Sequence, residues 1–198
     1  LVHSEVIDLP GEVLCLPLNE ALARHGDLVK ESFQKEEASL GGDKFAALHG
    51  AATLSGLFVH VPRGVVVEKP LVVHHFCGGD FEAVFPHTLV VAGENSSVSV
   101  TEYFESVREG EQSLLVGVTD LIAEQGARIQ YVSLQDESDH GPKHVQLNSS
   151  RAGKDASITS AFVNLGASWV RNESINRMMA PGSDIQILSA NLANGTQE

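Results

Sequence analysis

Five stretches of this chain repeat one pattern at nearly constant spacing. They are "VPRGVVVEKPLVV" from Val61, "AGENSSVSVTEYF" from Ala92, "AEQGARIQYVSLQ" from Ala123, "AGKDASITSAFVN" from Ala152 and "APGSDIQILSANL" from Ala180. Each opens on a small or apolar residue, passes through turn formers and continues as an alternating strand. The starts step by 31, 31, 29 and 28 residues. A β-branched residue follows each start at five or six residues: Val67, Val98, Ile129, Ile158 and Ile185. The next residue is polar each time: Glu68, Ser99, Gln130, Thr159 and Gln186. Successive strand side chains point to opposite faces, so the first set forms an inward column and the second an outward one.

The stretches entering the turns are also strand-like: Leu57–Val61, Thr88–Val91, Leu114–Ile122, Val145–Leu147 and Ile175–Met179. One repeat is thus strand, tight turn, strand and longer loop. Such a unit cannot bury its apolar face alone, and stacking the units buries it, which is the logic of a β-solenoid. An antiparallel sandwich or barrel is the alternative, because it also turns every 8–12 residues. The near-equal steps favour the solenoid.

The first part of the chain differs. "LNEALARHGDLVKESFQ" (Leu18–Gln34) predicts a helix with Asn19 as N-cap and Leu22, Leu28 and Val29 on its apolar side. "GDKFAALHGAATLSG" (Gly42–Gly56) predicts a second, capped by Asp43, with Phe45, Leu48 and Leu54 as its stripe and Gly56 past its end. The division is therefore residues 1–56, two helices capping the solenoid, and residues 57–198, the β-helix core. The fifth strand is followed only by "NLANGTQE", so the core is expected to be cut short at its C-terminal end and to self-associate through that open coil.

Composition narrows the function. Net charge is −13 with no Lys/Arg cluster, which argues against nucleic acid as a partner. No apolar run approaches the ~20 residues of a membrane span, and no leader pattern opens the chain, so the expectation is a cytoplasmic protein. Cys15 and Cys77 read as two free thiols. Phosphate-loop, dinucleotide and nucleophile-elbow motifs are missing from the sequence.

One stretch collects metal-ligand types: "LVVHHFCGGDFEAVFPHTLVV" holds His74, His75, Cys77, Glu82 and His87. A Cys/His set of His75, Cys77 and His87 could close on zinc or iron across the loop after Gly78-Gly79. Against it, His74 and His75 are consecutive on the strand Val65–Phe76 and must face opposite ways. The bland reading has one histidine near the core, one in solvent and Cys77 as a small buried apolar group. Glu102 and Glu105 read as solvated strand-end residues. Trp169 and Arg171 share a strand face, which suits a structural pair or a stacking contact.

Taken together, "DKFAALHGAATLSGLFVHVPRGVVVEKPLVV", "HTLVVAGENSSVSVTEYFES" and "SWVRNES" resemble the SufB/SufD family of iron–sulfur cluster assembly scaffolds. "VVVEKPLVV" followed by a short loop is more similar to the SufD branch. The resemblance implies a right-handed parallel β-helix, a non-enzymatic role, and a complex with a SufB-like subunit and the SufC ATPase. It implies an iron–sulfur cluster for the intact complex and none bound by this segment. The interface cysteine and histidine of the family lie beyond Glu198, so no catalytic or cofactor-binding residue is carried over. Two rivals remain: a cupin-like metal barrel using His74 or His75 with Glu82 and His87, and a carbohydrate-active solenoid, whose outer face the mostly uncharged outward column does not suit.

Overall fold

The computed structural model describes residues 9–33, 41–79 and 81–197. In chain order it contains β1 (Leu14–Pro17), α1 (Leu18–Arg24), α2 (Gly26–Lys30), α3 (Asp43–Ala52), β2 (Ser55–Val61), β3 (Leu71–Cys77), β4 (Glu82–Val84), β5 (Pro86–Ala92), β6 (Ser97–Ser106), β7 (Ser113–Ala123), β8 (Arg128–Asp136), β9 (Lys143–Ala152), β10 (Ser157–Asn164), β11 (Trp169–Met178) and β12 (Asp184–Asn191).

The repeat is a parallel β-solenoid of five coils. Each coil places one strand in a first sheet, ordered β1-β2-β5-β7-β9-β11, and one in a second sheet, ordered β12-β10-β8-β6-β3. The short β4 joins the first sheet beside β7. Val98 pairs with Ile129, Ile129 with Ile158 and Ile158 with Ile185, all parallel. Val67 joins through its N–H to the Ser97 carbonyl at 2.9 Å. The expected inward ladder is the core, and burying each of its residues stabilises by about 1.5–3 kcal/mol.

The tight turns repeat as faithfully as the strands. Gly64, Asn95, Gly126, Asp155 and Gly182 occupy the same slot, all with φ between 56° and 77°. Only Gly, Asn and Asp enter that left-handed region readily, which is why the slot holds nothing else. The turns also bond to one another: the N–H groups of Gly64, Asn95, Gly126 and Asp155 donate to the carbonyls of Glu94, Gln125, Lys154 and Pro181 at 2.8–3.1 Å.

The N-terminal segment departs from expectation. The first helix breaks at His25, whose backbone (φ −133°, ψ 36°) leaves the helical region between α1 and α2. Asn19 lies inside α1 and Pro17 stands at the cap. Leu18, Ala21 and Val29 are the buried residues, while Leu22 is exposed. Gln34, the expected end, lies outside the described residues. In α3 the cap residue is Gly42, Asp43 is already helical, and Leu48 and Leu54 are exposed. Its fully buried residue is His49. Gly56 lies within β2.

Nor do the helices sit over the open end. The edge of β2 is taken by β1, antiparallel, with Leu14 opposite His60 and Pro17 opposite Leu57. Helices α1 and α2 pack on outward side chains of the first sheet, namely Phe58, Leu89 and Val91. Helix α3 crosses the same face. Its cap residue Gly42 lies against Leu147 of β9 and Glu173 of β11, His49 bonds to β7, and Thr53 just past its end donates to the Phe85 carbonyl at 2.8 Å. Ten helical residues span about 15 Å, and β5 to β11 is three strand spacings, about 14 Å. The helix length matches the number of coils it straps together.

Candidate functional site

The solenoid interior changes character along the strands. Near the tight turns it is aliphatic, and toward the long loops it becomes a hydrogen-bonded file of polar side chains. The pleat that turns Val98 and Val100 inward also turns Glu102 inward, and Glu102 is fully buried. The expectation of a solvated strand end holds only for Glu105, because Glu102 shares the parity of the core column and Glu105 does not.

Glu102 is the hub. His75 Nε2 lies 2.9 Å from its carboxylate, and the hydroxyls of Thr88 and Tyr131 donate to it in short hydrogen bonds. Burial pushes this carboxyl up, but the bond and charge of His75 and the two hydroxyls outweigh it and hold it below its ordinary value. Burial, then the Glu102 charge, pushes the Tyr131 phenol well above its own.

The file continues through three more strands, β7, β9 and β11. Thr119 Oγ1 lies 3.2 Å from the Tyr131 hydroxyl and accepts from Gln146 Nε2 at 3.0 Å. His144 contacts Gln146 Oε1 at 3.2 Å through Nε2 and Glu137 at 2.6 Å through Nδ1, so both ring nitrogens face acceptors. Gln146 also donates to Asn148, which donates to Asn172 of β11 at 2.6 Å. Gly117 makes room for this: it pairs with Gln146, and a Cβ there would stand 2.1 Å from Gln146 Oε1. The network thus runs from the first coil to the fifth. Chemically it can hold protons and fix side-chain orientation, because its members already serve as one another's partners.

A second buried cluster lies outside the wall, under α3. His49 Nδ1 donates to the Val116 carbonyl at 2.9 Å, leaving Nε2 to accept from His87 Nδ1 at 3.1 Å. His87 Nε2 then faces Asp120 at 3.2 Å, and Ser149 donates to the other Asp120 oxygen at 2.5 Å. Burial lowers His49 to about 4, opposed by the Val116 bond and the Asp120 charge and aided by His87.

The residues of the opening histidine-rich stretch are therefore dispersed. His74 and His75 face opposite ways, as expected. His74 is exposed and bonds to Glu105 at 2.7 Å, whereas His75 and Cys77 point inward. His87 belongs to β5, where Thr88 and Val90 turn into the lumen and His87 turns out of it. The sheet wall separates His87 from His75 and Cys77, so the set His75, Cys77 and His87 is not brought together. Glu82 lies at the exposed start of β4. Burial raises both thiols, Cys15 and Cys77, and for Cys77 the charges of Glu137, Glu82 and Glu111 add to it, which disfavours the thiolate a metal needs. Among the described residues, no group of three or more His, Cys, Asp and Glu is placed to hold a metal ion. Trp169 packs with Val116, Val145 and Leu147 on the first sheet, and Arg171 donates to Glu173 at 2.5 Å.

Sequence reasoning missed Glu102, Tyr131, His144 and His49. For the first two the signal was present, since extending the alternation from Val98 and Ile129 by two or four residues reaches both.

Comparison with known proteins agrees with the architecture. Residues 75–198 match the family model "SUF system FeS cluster assembly, SufBD core domain", and residues 2–73 match "SufBD protein N-terminal region". The chain is 28% identical over 138 residues to the iron–sulfur cluster assembly protein SufD of Bacillus subtilis, covering 70% of this chain and 32% of that protein. It is 30% identical over 135 residues to SufB of the same organism, covering 68% and 29%. A SufBD-family protein of Pyrococcus horikoshii is 27% identical over 158 residues, covering 78% and 34%. The chain thus spans about a third of the length of the curated relatives it matches. No helix among the described residues is long and apolar enough to cross a membrane. With both family models matching and the solenoid in place, the chain belongs to the SufB/SufD family of iron–sulfur cluster assembly proteins.

Proposed function

We propose that this chain is the core of a SufD-like scaffold subunit that takes no catalytic part itself in iron–sulfur cluster assembly. The observation that carries the reading is the state of its chemistry-bearing groups. His75, Glu102, Tyr131, His144 and Glu137 are engaged with one another inside the solenoid, and both cysteines are held as thiols. Such a lumen, its groups serving as one another's partners, stiffens a stack of coils. Identity to SufD and SufB is nearly equal, so the SufD reading rests on the resemblance of the residues from Val65 to Val73; the short loop expected after them comes only after Cys77, where β3 ends.

On this reading the partners are a SufB-like subunit and a SufC-like ATPase, and the cluster is cargo of the assembled complex, built at a junction of subunits. The setting is cytoplasmic. The test is co-expression of the tagged parent protein with SufB-like and SufC-like subunits, purification without oxygen, and measurement of bound subunits, iron and sulfide. Co-purification of both subunits, with iron and sulfide present only in the complex, is the expected result. Stoichiometric metal on this chain alone that is lost in His75→Ala or Cys77→Ala would overturn it.

A further inference from the structure

Both sheets carry apolar residues on their outer faces, but among the described residues helices cover only the first. On the first sheet, outward Phe58, Leu89, Val116, Val145 and Leu147 are buried beneath α1, α2 and α3. On the second sheet, the outward column Ser99, Gln130, Thr159, Gln186 is polar, and the next two columns are mixed, with five aliphatic residues and Tyr103 beside Thr101 and His74. One runs Val72, Thr101, Val132, Ala161 across the strands, and the other runs His74, Tyr103, Leu134, Val163. No helix among the described residues lies on them. Val72 is 57% exposed and Phe76 60%, and Tyr103, Val132, Leu134 and Val163 are half-buried.

Three features of this face select an occupant. The two columns are two residues apart along each strand, about 7 Å, and run across the coils. A helix about 10 Å wide fits over such a pair of ridges, and α3 lies across the coils in this way on the opposite sheet. The face is also already ordered: His74 stacks on Tyr103 at 4.7 Å and on Phe76 at 5.9 Å and bonds to Glu105, so binding freezes few rotamers. Finally, the columns end on an acidic border. Glu105 pairs with Asp136 across the strands, and Glu109 and Asp139 follow in the adjoining loops, where Arg108 is paired with Glu111, on a chain of net charge −13.

We propose that the outer face of the second sheet is a docking surface for a basic amphipathic helix of a partner protein. The helix lies along the solenoid axis, its aliphatic side on Val132 and Leu134 and its Lys or Arg side chains over Glu105 and Asp136. The proposal stands on this face alone and goes beyond the scaffold assignment.

The test uses the 198-residue chain and a fluorescein-labelled 16-residue helix of Leu, Ala and Lys, with Leu at i, i+3, i+4 spacing and Lys beside it. A matching peptide with Glu in place of Lys is the comparator. Binding is read by fluorescence anisotropy at low and moderate salt. The Lys peptide binds, the Glu peptide does not, and salt weakens binding. The variant Val132→Glu/Leu134→Glu loses at least ten-fold in affinity. Because that variant could perturb folding, Glu105→Gln/Asp136→Asn is measured beside it and loses several-fold. Glu68→Gln/Glu124→Gln removes equal charge near the tight turns and leaves binding unchanged. Equal loss in the two charge-neutralised variants, or no binding, overturns the proposal. So does a dimer in sedimentation that Val132→Glu dissociates, because the occupant is then a second copy.

Discussion

Among the described residues the first sheet is clad and the second is bare, and the strands that build them read differently. β5, "PHTLVVA", is buried at every position, and β7 is nearly so. β6 and β8 alternate buried and partly exposed residues. A strand covered on both faces carries a continuous apolar run, and a strand open to solvent on one face alternates. The edges differ too: β1 closes the first sheet beside β2, whereas β3 and β12 are the terminal strands of the second. Within one solenoid, cladding concentrates rigidity on one wall and leaves the other available for contact.

The largest effect should come from the interior that both walls share. Ile129→Asp places an unpaired carboxylate in the ladder and should cost about 4 kcal/mol or more, abolishing the cooperative urea transition. Val132→Asp, three residues on and facing outward, should stay within about 1 kcal/mol. Equal losses would mean that the second sheet is as covered as the first.

Next comes the cladding itself. Phe58→Ala, under α1, should cost about 3–5 kcal/mol, the usual loss for a fully buried phenylalanine. Tyr103→Ala on the bare wall should cost less than half of that. Chemical denaturation of both variants ranks the two faces directly, and the reverse order would break the distinction.

Acid should loosen the clad wall first. Burial holds the His49 ring at about 4, below its ordinary 6.5. The unfolded chain therefore takes up the proton first, so stability is fully present above about pH 6.5 and falls as pH drops toward 4. The span between those values corresponds to about 3 kcal/mol at most. The groups facing the ring are His87, Asp120 and the Val116 carbonyl. Amide exchange in α3 should rise over that interval while exchange in β8 does not, and His49→Gln should flatten the response. Uniform change in both elements would place the titrating group elsewhere.

The smallest energetic effect, but a clear change of mass, is expected at the edge. Among the described residues β12 pairs only with β10, and Leu188 and Leu192 are exposed. Such an edge recruits other strands. The 198-residue chain should self-associate in sedimentation, more strongly as salt screens its charge of −13. Leu188→Lys, on the outward side of this edge strand, should return it to monomer with stability changed by no more than about 0.5 kcal/mol. A monomer at every salt concentration would show that this edge is protected.

Much of this was legible in the residues alone. The spacing of Val67, Val98, Ile129, Ile158 and Ile185 determined the parallel stack and its inward column, because the pleat and the tight turn are local properties. The opposed facing of His74 and His75 followed from the same pleat, and the quoted motifs led to the family. The tertiary structure decided what local pattern does not contain. In a parallel solenoid the lateral neighbour of a residue is about 30 positions away, so no short window shows that His75, Thr88 and Tyr131 converge on Glu102. Helix α3 turns His49 inward, against its own apolar pattern, because the patch beneath it offers His87 and the Val116 carbonyl, and only the folded sheet brings those together. His87 left the candidate metal set for the same reason: which side of a wall a side chain occupies is settled by the wall, and the wall exists only once the coils have stacked.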